Sequence, residues 1–413
     1  MDFYVKDFGA VADGKTLNTA AIQAAIDACT KAGGGRVVVS GGIYMTGTIV
    51  LKQNVDLHIE ADGVLYGSPN CEDYPEIPKK HVVPDNCPRH RSASLIFAEE
   101  CENISITGKG KIDAHGDAFI EKKPDGTYCN IPYRRIDAPT PPRVVFFTGC
   151  KNILVENVTM TNQPAGWSYW IHDCDYVSFS KIKILADLDY PNNDGIHVNC
   201  SRNVTVSDSL ISCGDDCIIV RANSRSLAEN KVCEKITVTN CNLTSHSGGI
   251  RIGWVNDGVI RNCTFSNLVM TDTTVGISIL LPPKKTANTG DYGREKTLIE
   301  NLSFSGIVMD RGYSIPIYIH LHDDPDTECE AIRNLYFDNI HARGLELPYI
   351  CGRQSNPIQN IQFTNCSFHQ LNHEIYDDKK PHGCVMCKGK DPHALIFSHV
   401  QNITLNNTTF TTE

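Results

Sequence analysis

A short pattern of hydrophobic and polar residues recurs along most of the chain. In its commonest form an Asn precedes two apolar residues that are separated by one polar residue, as in NISIT, NILVENVTM, NVTVSDSLI, NLSFSGIVM and NITLNNTTF. Matching positions lie 24 residues apart from 152 to 176, 27 apart from 176 to 203 and 26 apart from 334 to 360. Self-similarity at such a period indicates a solenoid, whose repeats stack on one another.

Each repeat carries two or three short β-branched runs separated by Gly, Asn or Asp, which is the pattern of strands and turns. A leucine-rich repeat would need a Leu-rich consensus and a helix in each repeat. The sequence therefore predicts an all-β fold, a single right-handed parallel β-helix with coils about 4.8 Å apart. We interpret the recurring Asn residues as turn residues that tolerate a left-handed backbone.

One amphipathic helix is predicted near the N-terminus, in the segment NTAAIQAAIDACTKAGGG. Its apolar positions have the spacing of one helical face and are Ala21, Ile22, Ala25, Ile26 and Cys29. We expect this helix to cap the open end of the solenoid, where edge strands would otherwise be exposed. An ordinary surface helix is the alternative.

The repeat pattern predicts a single domain over residues 1–413. The cap and first coils should occupy 1–70, and the remaining coils 95–413, with the coils that carry the candidate functional residues near 190–255. Two stretches rich in Pro and charge break the repeat, one between 70 and 94 and the other EKKPDGTYCNIPYRRIDAPTPPR. Long loops on a rigid scaffold often form binding walls, so loops that close one end of a groove would restrict a polymeric ligand to its chain end or to short oligomers.

The charge and composition of the chain exclude some classes of binding partner. The net charge is −10 and no basic run exceeds a pair, which argues against nucleic acid. No apolar stretch approaches the length of a membrane span, and the first residues lack the pattern of a signal peptide. We therefore expect no membrane partner and a cytoplasmic protein as the chain stands, or a secreted or periplasmic one if a signal peptide has been removed. The oligomeric state is not determined by the sequence.

The 18 cysteines are scattered through a long chain, and we expect most of them to be reduced, buried thiols. Cys384 and Cys387 form a lone CxxC with His382 and His393 nearby, which is a weak zinc motif. We predict no metal and no cofactor.

Three aspartates stand out within DLDYPNNDGIHVNCSRNVTVSDSLISCGDDCIIVRAN. Asp194 precedes Asp215 by 21 residues and Asp216 by 22, so one coil separates them and they should lie on neighbouring rungs. Close carboxylates raise at least one pKa among them, which leaves one group protonated near neutral pH. Hydrolysis of a glycosidic bond needs one protonated and one ionised carboxyl group. The cluster therefore predicts a carbohydrate-cleaving active site.

Further candidates lie on the same and later coils. His246 follows Asp216 by 30 residues, one coil plus an insertion, and could hydrogen-bond the aspartates; Arg251 suits a sugar hydroxyl or carboxylate. Strand alternation in IPIYIHLHDDPD places three side chains on one face, and the segment QPAGWSYWIHDCD immediately precedes the catalytic coil. From these segments we predict that the sugar site is lined by Tyr318, His320, His322 and Trp170. A solvated strand edge and aromatic packing beside the helix are the alternatives.

At these residues the chain resembles glycoside hydrolase family 28, the polygalacturonases and rhamnogalacturonase-like enzymes. The resemblance spans nearly the whole chain and includes VKDFGAVADGKTLNTAAIQAAIDAC, GKGKIDAHG, the motif Asn192-Asn193-Asp194 and the motif Gly214-Asp215-Asp216. It implies an inverting hydrolase in which Asp215 is the general acid, Asp194 and Asp216 activate water, and Asn192 contacts substrate. Inversion implies carboxyl groups about 6.5–9.5 Å apart, which leaves room for the attacking water.

Two departures from the family pattern bear on the substrate. The family's Gly-His-Gly appears here as Ser245-His246-Ser247, and its Arg-Ile-Lys, which grips a galacturonate carboxylate, aligns with Ser278-Ile279-Leu280. Each lost charge-assisted hydrogen bond is worth about 1.5–3 kcal/mol. Either Lys284, Lys285 or Arg251 takes over, or the sugar there is different. We therefore expect a pectic substrate other than plain polygalacturonate, such as a rhamnogalacturonan-like oligosaccharide.

Two other functions fit the same scaffold. A polysaccharide lyase or epimerase would use a base, usually with calcium, to remove a proton beside a uronate carboxylate, and Asp clusters can bind calcium. A non-catalytic glycan-binding solenoid would bind pectin without cutting it. The retained set of three aspartates argues against the second alternative.

Overall fold

The computed structural model describes residues 1–82, 92–123, 131–164, 166–286, 292–312, 315–372 and 395–413. Nearly all of the regular structure in these residues is strand, and nearly every strand pairs in parallel with the strand one coil away. The predicted parallel β-helix is confirmed. The CxxC motif with His382 and His393 lies outside the described residues.

One side of the β-helix is an eleven-stranded parallel sheet, named here the front sheet, to which each coil contributes one strand. Its strands are Ile49–Val50, Ser94–Glu99, Arg143–Thr148, Trp167–His172, Ile196–Asn199, Ile218–Arg221, Gly248–Ile252, Val275–Leu281, Ile317–Leu321, Tyr349–Cys351 and Ile396–Ser398. Side chains along each strand alternate between the interior and the outer face.

The other sides form a continuous 22-stranded sheet, named here the back sheet. Its strands are Asp2–Tyr4, Asp13–Leu17, Gly35–Val39, Gly42–Thr46, Val55–Ile59, Gly63–Gly67, Glu102–Gly108, Lys111–Asp113, Lys151–Glu156, Thr159–Thr161, Asp175–Ser180, Lys183–Leu185, Arg202–Ser207, Leu210–Cys213, Cys233–Ser245, Val259–Thr271, Thr297–Gly312, Cys329–Gly344, Ile358–Thr364, Ser367–Gln370, Val400–Asn406 and Thr409–Thr412. An antiparallel hairpin of Ile120–Lys122 and Tyr133–Arg135 stands outside both sheets.

The predicted helix is Thr19–Lys31, and its buried residues are Ile22, Ala25, Ile26 and Cys29. It packs on the first strands of the solenoid, so it caps the core as expected. The described 3-10 helices are Val5–Phe8, Cys71–Asp73, Gly116–Phe119 and Lys284–Thr286. None of the described helices has the length and apolar character needed to cross a membrane.

Inward side chains from both sheets form one buried apolar cluster that runs along the solenoid from Val5 to Phe368. Phe265, Phe304 and Phe337 stack in it with ring centroids 5.0 Å apart. Burial of such rings through successive coils stabilises the stack as a whole, because no single coil buries its own apolar face. Every described cysteine is free, and most are buried, as predicted.

The recurring Asn residues occupy the corners with left-handed backbones, as predicted from their turn chemistry. Asn103 (φ 56°) and Asn152 (φ 55°) are two of them. The Asn152 amide donates to the Asn103 side-chain oxygen at 2.6 Å, and Asn103 donates in turn to Asn54 at 2.8 Å. These ladders satisfy polar groups at each corner and keep successive coils in register.

Candidate active site

Asp194 and Asp216 lie at the same position of neighbouring coils, directly before front-sheet strands that pair Ile196 with Ile218. The Gly195 N–H donates to the Asp216 carbonyl at 2.9 Å, which fixes this register. Each of Asp194, Asp215 and Asp216 places a carboxylate oxygen within 4.8 Å of the other two. Asp194 and Asp216 are each 3% exposed, whereas Asp215 is partly exposed. The structure thus brings the three predicted aspartates together.

The turn that presents Asp215 is held by side chains from adjoining coils. The Asn193 side-chain oxygen accepts hydrogen bonds from the backbone N–H groups of Gly214 at 2.7 Å and Asp215 at 3.2 Å. The Ser245 hydroxyl donates to the Asp215 carbonyl oxygen at 2.6 Å. Asn193 and Ser245 are fully buried, so the turn is braced from two sides and Asp215 is held in place.

The pKa of the Asp215 carboxyl group is strongly raised. Burial raises its pKa to about 8, and the charges of Asp194 and Asp216 add to the rise, while the Arg251 guanidinium partly opposes it. One oxygen accepts the Asp216 N–H at 3.0 Å, and the other accepts the Asn192 amide at 3.1 Å. Asp215 is therefore protonated at neutral pH.

Asp216 has two hydrogen-bond donors on its carboxylate. The Ser247 hydroxyl donates to one oxygen at 2.9 Å, and Arg251 Nη1 donates to the other at 2.8 Å. The Arg251 guanidinium in turn lies 4.0 Å from the ring centroid of Trp254. Arg251 was predicted as a substrate ligand, but its described ion pair is with Asp216. Trp254 supports the guanidinium through a cation–π contact.

Asp194 is held by a histidine that sequence reasoning missed. His197 Nε2 lies 2.9 Å from Asp194 Oδ2, and the Trp167 ring stacks on the imidazole with centroids 3.8 Å apart. The signal was available in the segment DGIHVN, because alternation between the buried Ile196 and Val198 turns His197 to the outer face beside Asp194. The coil spacing after Asp216 drew attention to His246 instead.

His246 lies near the cluster, but its described ion contact is with Asp189, whose Oδ1 is 3.8 Å from His246 Nδ1. The neighbouring serines of the altered motif serve other members of the site, since Ser245 holds the turn of Asp215 and Ser247 bonds Asp216. A catalytic role for His246 stays a prediction.

The prediction that Trp170 stacks on a sugar is wrong for this structure. Trp170 is 3% exposed, with the Phe146 ring stacked 4.5 Å away and the Arg143 guanidinium 3.7 Å from its ring centroid. Ile77 and Val82, from the insertion after residue 70, pack over the same aromatic cluster. The alternative of aromatic packing beside the helix holds, because the insertion covers this face.

Tyr318 and His320 share the outer face of one front-sheet strand, as predicted. Tyr318 is only 6% exposed and stacks on Tyr349 at 5.2 Å, so its ring is not open to a sugar, and that part of the prediction is wrong. His320 and His322 are partly exposed and stack 3.6 Å apart. Burial, with His322 as a second cause, lowers the pKa of His320 to about 3, so this imidazole is neutral at working pH.

The positions that align with the family's two cations carry neutral, buried side chains. Ser278 lies in register with Arg251 on the preceding coil, and its hydroxyl donates to the Ile250 carbonyl at 3.2 Å. Leu280 is 2% exposed in an apolar cluster with Trp254 and Tyr318. Neither position can supply a charge to a sugar carboxylate.

Lys284 lies just beyond this cluster, at the start of a 3-10 helix. Its ammonium group is 5.0 Å from the ring centroid of Tyr292, and the Arg225 guanidinium is 4.8 Å from the same centroid. Tyr292 packs against the cluster that contains Trp254. Two cations therefore lie on the flank of the front sheet, although neither occupies the aligned positions.

The fold and the site together define a parallel β-helix protein with a buried aspartate cluster on one sheet. The family model described as Glycosyl hydrolases family 28 matches residues 86–370, and the chain belongs to this family. A second model, Rhamnogalacturonase A/epimerase, pectate lyase-like, matches residues 3–110, which hold the cap and first coils.

Individual relatives are distant. A "Probable polygalacturonase" of Vitis vinifera is 28% identical over 282 residues, covering 66% of this chain and 55% of its own. An "Exo-poly-alpha-D-galacturonosidase" of Dickeya chrysanthemi is 25% identical over 349 residues, covering 75% of this chain and 57% of its own. The chain thus spans little more than half the length of these relatives. Among solved structures, an exopolygalacturonase from Thermotoga maritima superposes with a TM-score of 0.71 at 24% identity, covering 90% of this chain and 87% of its own.

Proposed function

We propose that the protein is an inverting glycoside hydrolase that cleaves glycosidic bonds in pectin-derived poly- or oligosaccharides. The observation that carries this proposal is the cluster itself: Asp215, whose pKa is raised to about 8, lies beside the two buried carboxyl groups of Asp194 and Asp216. Asp215 gives its proton to the glycosidic oxygen as the bond to the anomeric carbon breaks. Water attacks that carbon, and its proton passes to the carboxylates of Asp194 and Asp216.

The stereochemistry rests on how Asp194 and Asp216 are bonded. Their nearest oxygens lie within 4.8 Å of each other and of Asp215, closer than the separation of about 6.5–9.5 Å expected for inversion. Asp216, however, is bonded through both oxygens, and both groups are almost fully buried. A carboxylate held in this way orients water more readily than it attacks a sugar. Proton NMR of the first-formed product tests this, since retention of the anomer would reject inversion.

The substrate follows from the neutral pair Ser278 and Leu280. The sequence relatives are named as polygalacturonases, but two charge-assisted bonds to a galacturonate are missing at these positions. We propose a rhamnogalacturonan-like or other pectic oligosaccharide in place of plain polygalacturonate. Lys284, with Arg225, is the candidate for any carboxylate that still has to be bound, because Tyr292 holds both cations beside the front sheet.

The covered face of the front sheet supports action at chain ends. Ile77 and Val82 close the outer face of the coils that precede Asp194, through contacts with Phe97, Phe146 and Trp170. A polymer that enters the site therefore continues only towards the later coils. The name of the Dickeya chrysanthemi relative describes an exo-acting enzyme, in agreement with this mode.

The lyase or epimerase alternative uses the cluster differently. A calcium ion held by the three aspartates would keep them ionised, so in this alternative Asp215 would have no proton to donate. Absorbance from an unsaturated product, lost on chelation, would favour the lyase. A binding-only solenoid would hold pectic oligosaccharides and leave them intact.

The proposed substrate is a cell-wall polymer, and the sequence relatives are polygalacturonases. These points support the secreted or periplasmic alternative over the cytoplasmic expectation. Fractionation of the native host with an antibody to the protein tests this placement.

The deciding experiment incubates the protein with defined rhamnogalacturonan, homogalacturonan and mixed pectic oligosaccharides, with products identified by mass. Hydrolysis adds one water to the products. Asp215→Asn should reduce the rate about a hundredfold to ten-thousandfold, because general acid catalysis contributes about 10²–10⁴. Asp208→Asn, in a back-sheet turn with a left-handed backbone, is the matched control and should keep full activity. Undiminished activity in Asp215→Asn would reject the assignment.

A further inference from the structure

Trp254 lies two residues after the front-sheet strand Gly248–Ile252, which carries Arg251. Its side chain is only 7% exposed. The indole N–H makes no hydrogen bond to the described residues, so the contacts of Trp254 are made by its ring. The ring belongs to an apolar cluster whose other buried members are Val255, Val275, Leu280, Ile315 and Tyr318.

Two guanidinium groups lie within cation–π distance of the Trp254 ring. The Arg251 guanidinium is 4.0 Å from the ring centroid, and that of Arg221 is 6.0 Å from it. Arg221 is itself held by the fully buried Asp257, because Nη2 donates to one carboxylate oxygen at 2.8 Å and Nε donates to the other. The ring therefore connects a buried ion pair to the guanidinium that bonds Asp216.

The Arg251 side chain is long and needs a support to keep its place. Its Nη1 donates to Asp216 Oδ2 at 2.8 Å, and 16% of the side chain is exposed. Holding such a side chain in one rotamer costs conformational entropy, which favours release of the guanidinium to solvent. The Trp254 ring opposes this release, because its attraction for the cation favours the rotamer that reaches Asp216.

The neutral residues on the next coil fit the same arrangement. Ser278 lies in register with Arg251, and Leu280 packs in the cluster of Trp254. Leu280 is 2% exposed, so a cation at this position would be buried in the cluster whose Trp254 ring already contacts two guanidinium groups. The absence of a cation at 280 therefore suits the packing of Arg251 on Trp254.

The position of Arg251 also affects the general acid. Burial and the charges of Asp194 and Asp216 raise the pKa of Asp215, whereas the Arg251 guanidinium lowers it. If the guanidinium moved away from Asp216, this opposing charge would be withdrawn and the pKa of Asp215 would rise further. A change in the position of Arg251 should therefore alter the pH dependence of the reaction.

We propose that Trp254 is a positioning residue for the hydrolysis, because its ring holds the Arg251 guanidinium on Asp216. The Asp216 carboxylate that is oriented in this way receives the proton of the attacking water, and Trp254 acts on it only through Arg251. The buried pair of Arg221 and Asp257 supports the ring. The inference rests on the proposed function and adds to it a residue that acts through another.

The test removes the ring and keeps the side chain apolar. Trp254→Leu should lower kcat about tenfold with KM unchanged, and should move the alkaline limb of kcat/KM to higher pH because Arg251 leaves Asp216. Trp254→Phe keeps a ring, so kcat should stay within about twofold and the limb should stay in place. Phe363→Leu, which removes a fully buried ring on a later coil, is the matched control and should lower Tm without moving the limb.

A double variant shows whether the ring acts through the arginine. Arg251→Gln combined with Trp254→Leu should be no slower than Arg251→Gln alone, because the support has nothing left to hold. Losses that multiply in the double variant would overturn the proposal, as would an alkaline limb that Trp254→Leu leaves unmoved. If Trp254→Leu does not fold, Trp254→Met carries the same test.

A crystal structure of the Trp254→Leu variant gives a readout besides activity. The Arg251 guanidinium should be displaced from Asp216, and a retained bond between them would overturn the proposal. If the unaltered protein cleaves no pectic oligosaccharide, the proposed function fails. The structure of the variant then still decides whether Trp254 positions Arg251.

Discussion

The two halves of the front sheet use the same alternation of side chains for opposite purposes. On the earlier coils the outward residues Phe97, Phe146 and Trp170 form a buried aromatic ladder, and Ile77 and Val82 pack against it. On the later coils an apolar cluster around Leu280 and Tyr318 gives way to polar residues such as His320, and the face ends in an open cavity. An outward side chain on a β-helix is therefore exposed only where no loop covers it.

The aspartate cluster lies where the two halves meet. Trp167, the last ring of the covered half, stacks on His197, which bonds Asp194. Arg251, on the first coil of the open half, bonds Asp216. The covered half thus supplies a rigid wall behind one carboxyl group, while the open half supplies the charge beside another.

The largest expected effect is a loss of stability that should differ between the covered and the open half of the front sheet. Trp170→Ala should lower the free energy of unfolding by about 3–5 kcal/mol, because it opens a cavity under the covering insertion and removes the contact with Arg143. Tyr349→Ala, in the open half, should cost less, because Tyr349 is only partly buried. Urea unfolding followed by circular dichroism measures both. Equal losses would show that the open half is packed as tightly as the covered one.

The repeat pattern predicted the coils, the capping helix and the stacking of Asp194 with Asp216, because all three follow from local periodicity and coil length. Nothing comparable predicts where an insertion folds back. The insertion after residue 70 has no repeat of its own, so the burial of Trp170 was not visible in the sequence.

The errors in the predicted site residues have related causes. Alternation correctly placed Tyr318 on the outer face, but it does not report that Tyr349 stacks on it from the next coil. His197 could have been predicted from the buried residues that flank it in the strand Ile196–Asn199. Contacts between coils depend on loop lengths, which set register and which local patterns do not encode.

The second prediction concerns the charge that the open half supplies. Arg251→Gln should lower kcat about a hundredfold, because Asp216 loses its ion pair and its fixed orientation. Arg311→Gln, which removes an exposed ion pair with Asp272 on the back sheet, is the control and should be silent. Steady-state kinetics on the best oligosaccharide measures both. A rise in KM with kcat unchanged would instead make Arg251 a simple substrate ligand.

The third prediction compares two histidines on either side of Asp216. His197→Gln should lower kcat about tenfold, because Asp194 loses the donor that orients it. His246→Gln should have a smaller effect, since the described ion contact of His246 is with Asp189. The coil spacing of His246 after Asp216 predicts the reverse order. The ratio of the two kcat values therefore decides which histidine serves the cluster.

The smallest effect is a pH dependence of kcat/KM that the aspartate cluster should set and that His320 in the open half should not change. Asp215 must be protonated to act, so kcat/KM should be halved near pH 8 and fall about tenfold by pH 9. Asp194→Asn removes a charge that raises this pKa and should move the alkaline limb to lower pH in whatever activity survives. His320→Gln should leave the limb in place, because a pKa of about 3 keeps His320 neutral throughout.

The stability of the folded protein should also depend on the protonation of Asp215, and the direction of this pH dependence can be predicted. The folded-state pKa of Asp215 lies above the ordinary value of 3.8, so its contribution to stability is complete below about pH 4 and is lost as the pH rises through 8. Asp215→Asn mimics the protonated form, and its gain in Tm over the unaltered protein should grow between pH 4 and pH 8. Calorimetric scans across that range measure the gain. A gain that is constant with pH would mean that Asp215 is ionised in the folded protein, and the general acid would then have to be sought elsewhere in the cluster.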